Sequence, residues 1–293
     1  MKRVLKSILP KPLWNRLRVL RMSYTRASYR RRRVQHNYGG FPLELELVDP
    51  MGAGWYDHDW PELREIALLK QYGLRPGARV FDIGAHQAVV ALMLAKTVGP
   101  NGFVLAVEAS PENYEAGERN RHLNGVTNCQ ILHAAGAARS GTLVFNRGTN
   151  GQVDDGNGEW GQIEVKAFSV DDLAAMHGVP DVLFIDVEGF ECELLQGAQK
   201  TLASRPNCFI EVHVGAGLEK FGGSVQKLLS LLPAEYCFWV APPENAFIPF
   251  ADDSPVVRER FFLVAIPSEG AILHDPGGLE ASKMGDGEVK RSR

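Results

Sequence analysis

Residues 79–88 read Arg-Val-Phe-Asp-Ile-Gly-Ala-His-Gln-Ala. Val80, Phe81 and Ile83 make the short apolar run of a buried strand. Gly84 ends it, and a helical pattern follows from Ala88 to Val98. Strand, glycine turn and helix form the first half of a nucleotide-binding βαβ unit. The turn aims the free N–H groups of a helix N-terminus at whatever sits above the strand. Asp82, at the strand end, offers a carboxylate to the turn or to that ligand.

The turn also restricts the ligand. A pyrophosphate calls for Gly-x-Gly-x-x-Gly, whose second glycine lets the phosphates approach the backbone. His86 holds that position here and would crowd them. A ligand without phosphates has no need of that glycine, and S-adenosylmethionine is such a ligand. Its ribose and its methionine carboxylate and amine can lie over an Asp-x-Gly-x turn.

The next strand supports a nucleotide-like ligand. Phe103 to Val107 is apolar and ends on Glu108, 24 residues after Gly84. An acid at that place is positioned to take the two ribose hydroxyls. Ser110 and Pro111 then open a helix as N-cap and first helical residue. A third strand runs from Cys129 to His133, and the small residues Ala134-Ala135-Gly136 after it leave room for an adenine ring. Thr142–Phe145 and Ile163–Phe168 read as short strands, with a Gly- and Asn-rich lid, Asn146 to Gly161, between them. Ser169 caps a helix over Val170 to His177.

The fourth core strand, Asp181 to Gly189, runs out of its apolar stretch onto Asp186 and Glu188. Residues two apart on an extended strand share a side. Ligands of open α/β sheets bind at the carboxyl ends of the strands. Two acids there suit a cation, a sulfonium or a hydroxyl awaiting deprotonation. A helix from Phe190 to Leu202 follows. The fifth strand, Cys208 to Val214, puts Glu211 and His213 on one side. An ordinary histidine pKa near ~6.5 suits proton abstraction. Ser224–Leu232 reads as a helix, and Tyr236–Val240 and Arg260–Ile266 as an antiparallel hairpin at the sheet edge.

Upstream, Phe41 to Asp49 alternates as a half-buried strand, a hairpin arm or edge strand. Gly52-Ala53-Gly54 reads as a turn. Asp59 and Glu62 have the spacing of a capping box for a helix from about Pro61 to Gly73. Trp55, Tyr56 and Trp60 with their acidic neighbours read either as a sugar platform or as a staple at the helix start.

The net charge of -3 conceals an asymmetry: twelve of the 32 Lys and Arg lie in residues 1–38, which contain no Asp or Glu. Leu13, Trp14, Leu17 and Leu20 share a helical face within this arm. An anionic membrane surface is one partner such an arm fits; a transit peptide, a nucleic-acid arm and a solvated extension are others. Four scattered cysteines, 129, 192, 208 and 237, give no disulfide framework, and no metal-ligand set is assigned. No apolar run approaches the ~20 residues of a membrane span. A cytoplasmic protein, peripheral on the inner membrane surface if the arm engages lipid, is expected. The expected organisation is an extension over 1–40, a catalytic domain over 41–266 and a disordered tail over 267–293.

Several stretches together resemble the FkbM-type S-adenosylmethionine-dependent methyltransferases. They are Val80 to Ala85, Glu108 to Tyr114, Asn120 with Leu123-Asn124-Gly125, Phe184 to Glu191, Leu195 to Ala198 and Ile210 to His213. The likeness spans about residues 60–266. It implies a Rossmann-like α/β fold: a seven-stranded, mostly parallel methyltransferase sheet with an antiparallel C-terminal hairpin and helices on both faces. It implies O-methylation of a small molecule, sugar or glycan hydroxyl. Asp82, Gly84, Ala85, His86, Glu108, Ala109 and Ala134 are the cofactor-binding candidates; Asp186, Glu188 and His213 are the catalytic ones. The chain departs from the family at His86, commonly Asn, and at Ala88, commonly Gly. No Asn-Pro-Pro-Tyr-like motif follows the fourth strand, which argues against methylation of base amino groups. An NAD-dependent oxidoreductase is disfavoured by His86. The other readings are a non-catalytic scaffold of the same fold and, less favoured, an RNA methyltransferase; no specific nucleic acid is expected as partner.

Overall fold

The computed structural model describes residues 28–146, 162–243, 245–250 and 259–268, together with Val153 and five positions between 17 and 25. Most of the basic arm, the lid and the expected tail lie outside the described residues.

The first strands among the described residues form a hairpin, β1 (Arg32–Tyr38) and β2 (Phe41–Leu47). Two helices follow, α1 (Pro50–Tyr56) and α2 (Arg64–Tyr72). Then come β3 (Arg79–Ile83), α3 (Val89–Val98), β4 (Phe103–Glu108), α4 (Pro111–Leu123) and β5 (Cys129–His133). A small sheet is made of β6 (Ala135–Gly136), β7 (Gly141–Asn146) and β8 (Gln162–Phe168). The chain returns through α5 (Val170–His177), β9 (Val182–Ile185), α6 (Glu191–Gln196), α7 (Gln199–Ala203) and β10 (Asn207–Val212). It ends with α8 (Val225–Leu231), β11 (Tyr236–Ala241), β12 (Ile248–Phe250) and β13 (Phe261–Pro267).

The main sheet has the order β12-β11-β13-β10-β9-β3-β4-β5. Its five strands from β10 to β5 are parallel, and β13 runs antiparallel between β10 and β11. The expected antiparallel pair is therefore present, but its last strand is inserted inside the sheet. Among the described residues the short β12 makes eight strands in this sheet where seven were expected. Chain order reverses between β3 and β9, and this is where open α/β sheets form their crevice.

Successive strand residues face opposite sides, and two cores result. Val80, Val104, Val182 and Phe184 pack with Leu92 of α3 and Leu69 of α2. Phe81, Ile83, Leu105 and Ile185 pack with Leu173 of α5 and Leu194 of α6. Leu43, Leu45 and Leu47 of β2 are fully buried in the first core, each contributing about 1.5–3 kcal/mol.

The hairpin is also held by hydrogen bonds. Asn120 of α4 accepts from the Glu46 N–H at 2.8 Å and donates to the Gln87 carbonyl at 3.1 Å. Asn124 accepts from the Glu44 N–H at 2.9 Å and donates to its carbonyl at 2.7 Å. Two asparagines thus satisfy the edge of β2. Changing Asn120 to Ala orphans the half-buried Glu46 N–H and the Gln87 carbonyl. The expected cost is about 2–4 kcal/mol, read as a lower midpoint in thermal unfolding.

Three local expectations change. Pro50–Tyr56 is a helix rather than a turn, because Asp49 accepts from the N–H groups of Met51 and Gly52 and caps it. The capping box does not form: α2 starts at Arg64, and Asp59 instead accepts from the Asn37 N–H at 2.8 Å. The helix expected over 190–202 is two helices, since it breaks around Gly197. A Cβ on Gly197 would lie 2.3 Å from the Ala137 carbonyl.

Candidate active site

The carboxyl ends of β3, β4, β5, β9 and β10 meet at one cavity of about 550 Å³. Asp82, Gly84, Ala85, His86, Glu108, Ala109, Ala134, Asp186 and Glu188 all line it. Glu211, Glu65 and Arg260 join them, with Trp55, Tyr56 and Trp60 along the wall. His213 lies behind Asp186, Glu188 and Glu211, in contact with all three.

The glycine turn is tight for a physical reason. Gly84 has φ +97, and a Cβ there would stand 1.7 Å from the Asp186 carbonyl oxygen. The Asp186 N–H donates to the Ile83 carbonyl at 3.0 Å, which ties the two strand ends together. The N–H groups of Gly84 and Ala85 both donate to the Val107 carbonyl, at 2.8 and 3.1 Å. Glu108 closes the turn: Oε2 accepts from the His86 N–H and Oε1 from the Ser110 N–H, each at 2.8 Å. Each oxygen keeps a lone pair for a ligand hydroxyl.

His86 lines the cavity beside the turn. Its backbone is left-handed, φ +49, and its Nδ1 meets the Tyr56 hydroxyl at 2.7 Å. The ring lies 5.1 Å from that of Trp55. Ala88 is also left-handed, φ +62. The two departures from the family pattern are therefore positions where Asn or Gly is most easily accommodated.

Asp82 is buried, and its Oδ2 has no hydrogen-bond partner. Burial, reinforced by the nearby Glu108 charge, pushes its pKa up to about 7. Burial also pushes Glu108 up to about 7, against the pull of the Ser110 and His86 N–H groups. Glu65 is raised to about 7 by burial. The folded protein thus keeps protons that the unfolded chain has already lost between about pH 4 and 7. Stability then falls as pH rises through this window. We expect the ligand-free protein to lose ~2 kcal/mol or more between about pH 5 and 8. Thermal unfolding across pH checks this, and Asp82→Asn should flatten the profile.

The second acid group differs from its sequence reading. Strand β9 stops at Ile185, and Glu188 sits in a left-handed turn, φ +52. Asp186 and Glu188 therefore meet through the turn and not through strand alternation. Both approach His213 Nε2, at 3.7 and 3.5 Å, and Glu211 approaches it at 3.6 Å. Burial, with the Glu211 charge next, holds Asp186 well above the usual carboxylate range. The 40% of its side chain that is open faces the cavity. His213 is not the ordinary base that the sequence suggests. Burial alone would lower its pKa, but the Glu191 carboxylate on Nδ1 and the Asp186 and Glu188 charges outweigh this and raise it to about 9.

Glu191 is a site residue that sequence reasoning misses. It is fully buried, accepts from the Gly189 N–H at 2.9 Å and meets His213 Nδ1 at 2.7 Å. In the sequence it is one acid among several at a helix start, and only its burial sets it apart.

The sheet order, the glycine turn and the acid ending β4 define the class: a Rossmann-like α/β methyltransferase fold. A family profile for the methyltransferase FkbM domain matches residues 82–237, just over half of the chain. The chain belongs to the FkbM methyltransferase family. Solved structures with some likeness include an FkbM methyltransferase from Methylobacillus flagellatus KT, at 14% identity, TM-score 0.44, over 64% of this chain and 43% of that one. A precorrin-6y C5,15-methyltransferase from Geobacter metallireducens GS-15 matches at 16% identity, TM-score 0.43, over 71% and 89%. An S-adenosylmethionine-dependent O-methyltransferase from Thermotoga maritima matches at 15% identity, TM-score 0.42, over 80% and 77%. No curated protein matches the chain. No helix among the described residues is long and apolar enough to cross a membrane.

Proposed function

We propose that the protein methylates a hydroxyl of a small molecule, sugar or glycan, with S-adenosylmethionine as methyl donor. The observation that carries this is a single cavity walled by both acid groups: Asp82 and Glu108 at the glycine turn, and Asp186, Glu188 and Glu211 at the ends of β9 and β10.

The residues present fit the donor. The cavity is within the usual ~300–1,000 Å³ of small-molecule sites. The orphaned Oδ2 of Asp82 and the spare lone pairs of Glu108 suit an amine and ribose hydroxyls. Ala109, Ala134 and Gly136 line the cavity with little side-chain bulk, which suits a flat base. When bound, the donor supplies an electrophilic methyl on a sulfonium that departs as a neutral thioether.

The chain's own work is to align and to accept a proton. Trp55, Tyr56 and Trp60 line the cavity wall, and aromatic rings suit the apolar C–H faces of a sugar-like acceptor. An acceptor hydroxyl is a weak nucleophile, so its proton must leave as the O–CH₃ bond forms. Asp186 and Glu188 are the candidates to take it, and His213 with Glu191 behind it positions them. Alignment of the reacting atoms supplies much of the rate.

The test is methyl transfer from isotope-labelled S-adenosylmethionine to pools of oligosaccharides, nucleotide sugars, phenolic and polyketide-like alcohols and RNA. Label recovered as a base-stable ether supports the reading. Label confined to RNA overturns it, as does donor binding without transfer to any hydroxyl pool.

A further inference from the structure

The imidazole of His213 is 2% exposed, and its orientation is fixed by Glu191, which is 0% exposed. Nδ1 meets Glu191 Oε1 at 2.7 Å, and that oxygen also takes the Gly189 N–H. The ring therefore has one orientation, and Nε2 points the other way. There it finds carboxylate oxygens of Glu188, Glu211 and Asp186 at 3.5, 3.6 and 3.7 Å. These separations exceed those of good hydrogen bonds. The nitrogen is surrounded by acceptors and close-bonded to none of them. Asp186 Oδ1 is shut off from solvent and has no hydrogen-bond partner.

Ligand atoms of Asp186, Glu211 and His213 all lie within 4.8 Å of one another. Oxygen and nitrogen donors sit ~2.0–2.6 Å from a divalent ion, so donors of one ion are separated by at most about twice that. The observed separations leave room for an ion between the three groups. A buried carboxylate on the far nitrogen of a histidine is the usual outer support of a metal-bound imidazole. Glu191 provides it here.

We infer that Asp186, Glu211 and His213 bind one divalent cation at the floor of the cavity. Two carboxylates with one imidazole suit Mn²⁺ or Mg²⁺ better than a thiophilic metal. Asp186 and Glu211 line the same cavity as the turn that would hold the donor, so the ion has an open side there. That side takes the oxygen of the acceptor hydroxyl. The cation site stands on its own geometry, and only its role toward the acceptor rests on the proposed methyl transfer. With Asp186 engaged by the ion, Glu188 is left as the nearby carboxylate to receive the hydroxyl proton.

The experiment uses the full chain, stripped with chelator. MnCl₂ is titrated by calorimetry, and the loaded protein is examined by pulsed electron paramagnetic resonance for nitrogen coupling to Mn²⁺. About one bound ion per chain with an imidazole-type coupling is expected. Glu211→Gln and Asp186→Asn, each checked for an intact unfolding transition, should weaken binding by ~10- to 100-fold or more. Absence of binding below millimolar Mn²⁺, Mg²⁺ or Zn²⁺ by the folded wild type overturns the site. So does binding without nitrogen coupling, or binding that both substitutions leave unchanged. S-adenosylmethionine is titrated into the same preparation. Metal binding without donor binding upholds the cation site and overturns the proposed function; donor binding without metal overturns the cation site and leaves the proposed function standing for the transfer assay to decide.

Discussion

Gly84→Ala is expected to destabilise the protein by ~4 kcal/mol or more and to lower its thermal midpoint by roughly 10 °C. Two effects combine. The residue has φ +97, a region that side-chain-bearing residues rarely adopt. The new Cβ would also stand 1.7 Å from the backbone oxygen of Asp186. Nothing flexible can move aside, because the Asp186 N–H is bonded to the Ile83 carbonyl across the same gap. Relief requires β3 and β9 to part at their carboxyl ends, which is where the cavity forms. The control is Gly125→Ala. Gly125 is also left-handed, φ +58, but a methyl group added there would have no atom within 4 Å. That variant should lose only about 1 kcal/mol of backbone strain. Similar losses in the two variants would show that the close approach at Gly84 has no energetic weight.

Glu108→Ala is expected to weaken S-adenosylmethionine binding by about 100-fold or more. Hydrogen bonds to a charged acceptor contribute ~1.5–3 kcal/mol each, and two ribose hydroxyls are served. The fold should suffer less. The substitution orphans the His86 and Ser110 N–H groups, but it also removes a carboxylate that burial pushes up to about 7. The two effects oppose each other above neutral pH. Affinity in the wild type should rise from about pH 6 to pH 8 as Glu108 and Asp82 ionise, and this slope should be shallower in the variant. Calorimetric titration with unfolding curves separates binding from folding. Unchanged affinity in a folded variant would remove Glu108 from the cofactor site.

Much of this site is legible in local sequence. The run from Val80 to Gly84, the acid ending Phe103–Glu108 and the Ser110-Pro111 cap are each contained within a few residues, and each forms where expected. Features that depend on distant partners are not legible. The helix Pro50–Tyr56 contains Gly52 and Gly54, so its propensity is poor. It forms because Asp49 caps it and also accepts from Gln87, far along the chain. Glu191 looks like any acid in a first helical turn until β10 brings His213 beside it. The strand Arg32–Tyr38 is obscured by its arginines, although Gly39-Gly40 is a recognisable two-residue hairpin turn with both φ positive. Asp59 and Glu62 have the right spacing for a cap, but the hairpin claims Asp59 first.

The most direct measurement is calorimetric binding of S-adenosylmethionine and S-adenosylhomocysteine to the purified full chain, with NAD as control. The expected result is binding of both sulfur nucleosides in the micromolar range and none of NAD. Failure of a folded protein to bind either of them, or a preference for NAD, would contradict the assignment of the Gly84 turn and Glu108 to this cofactor.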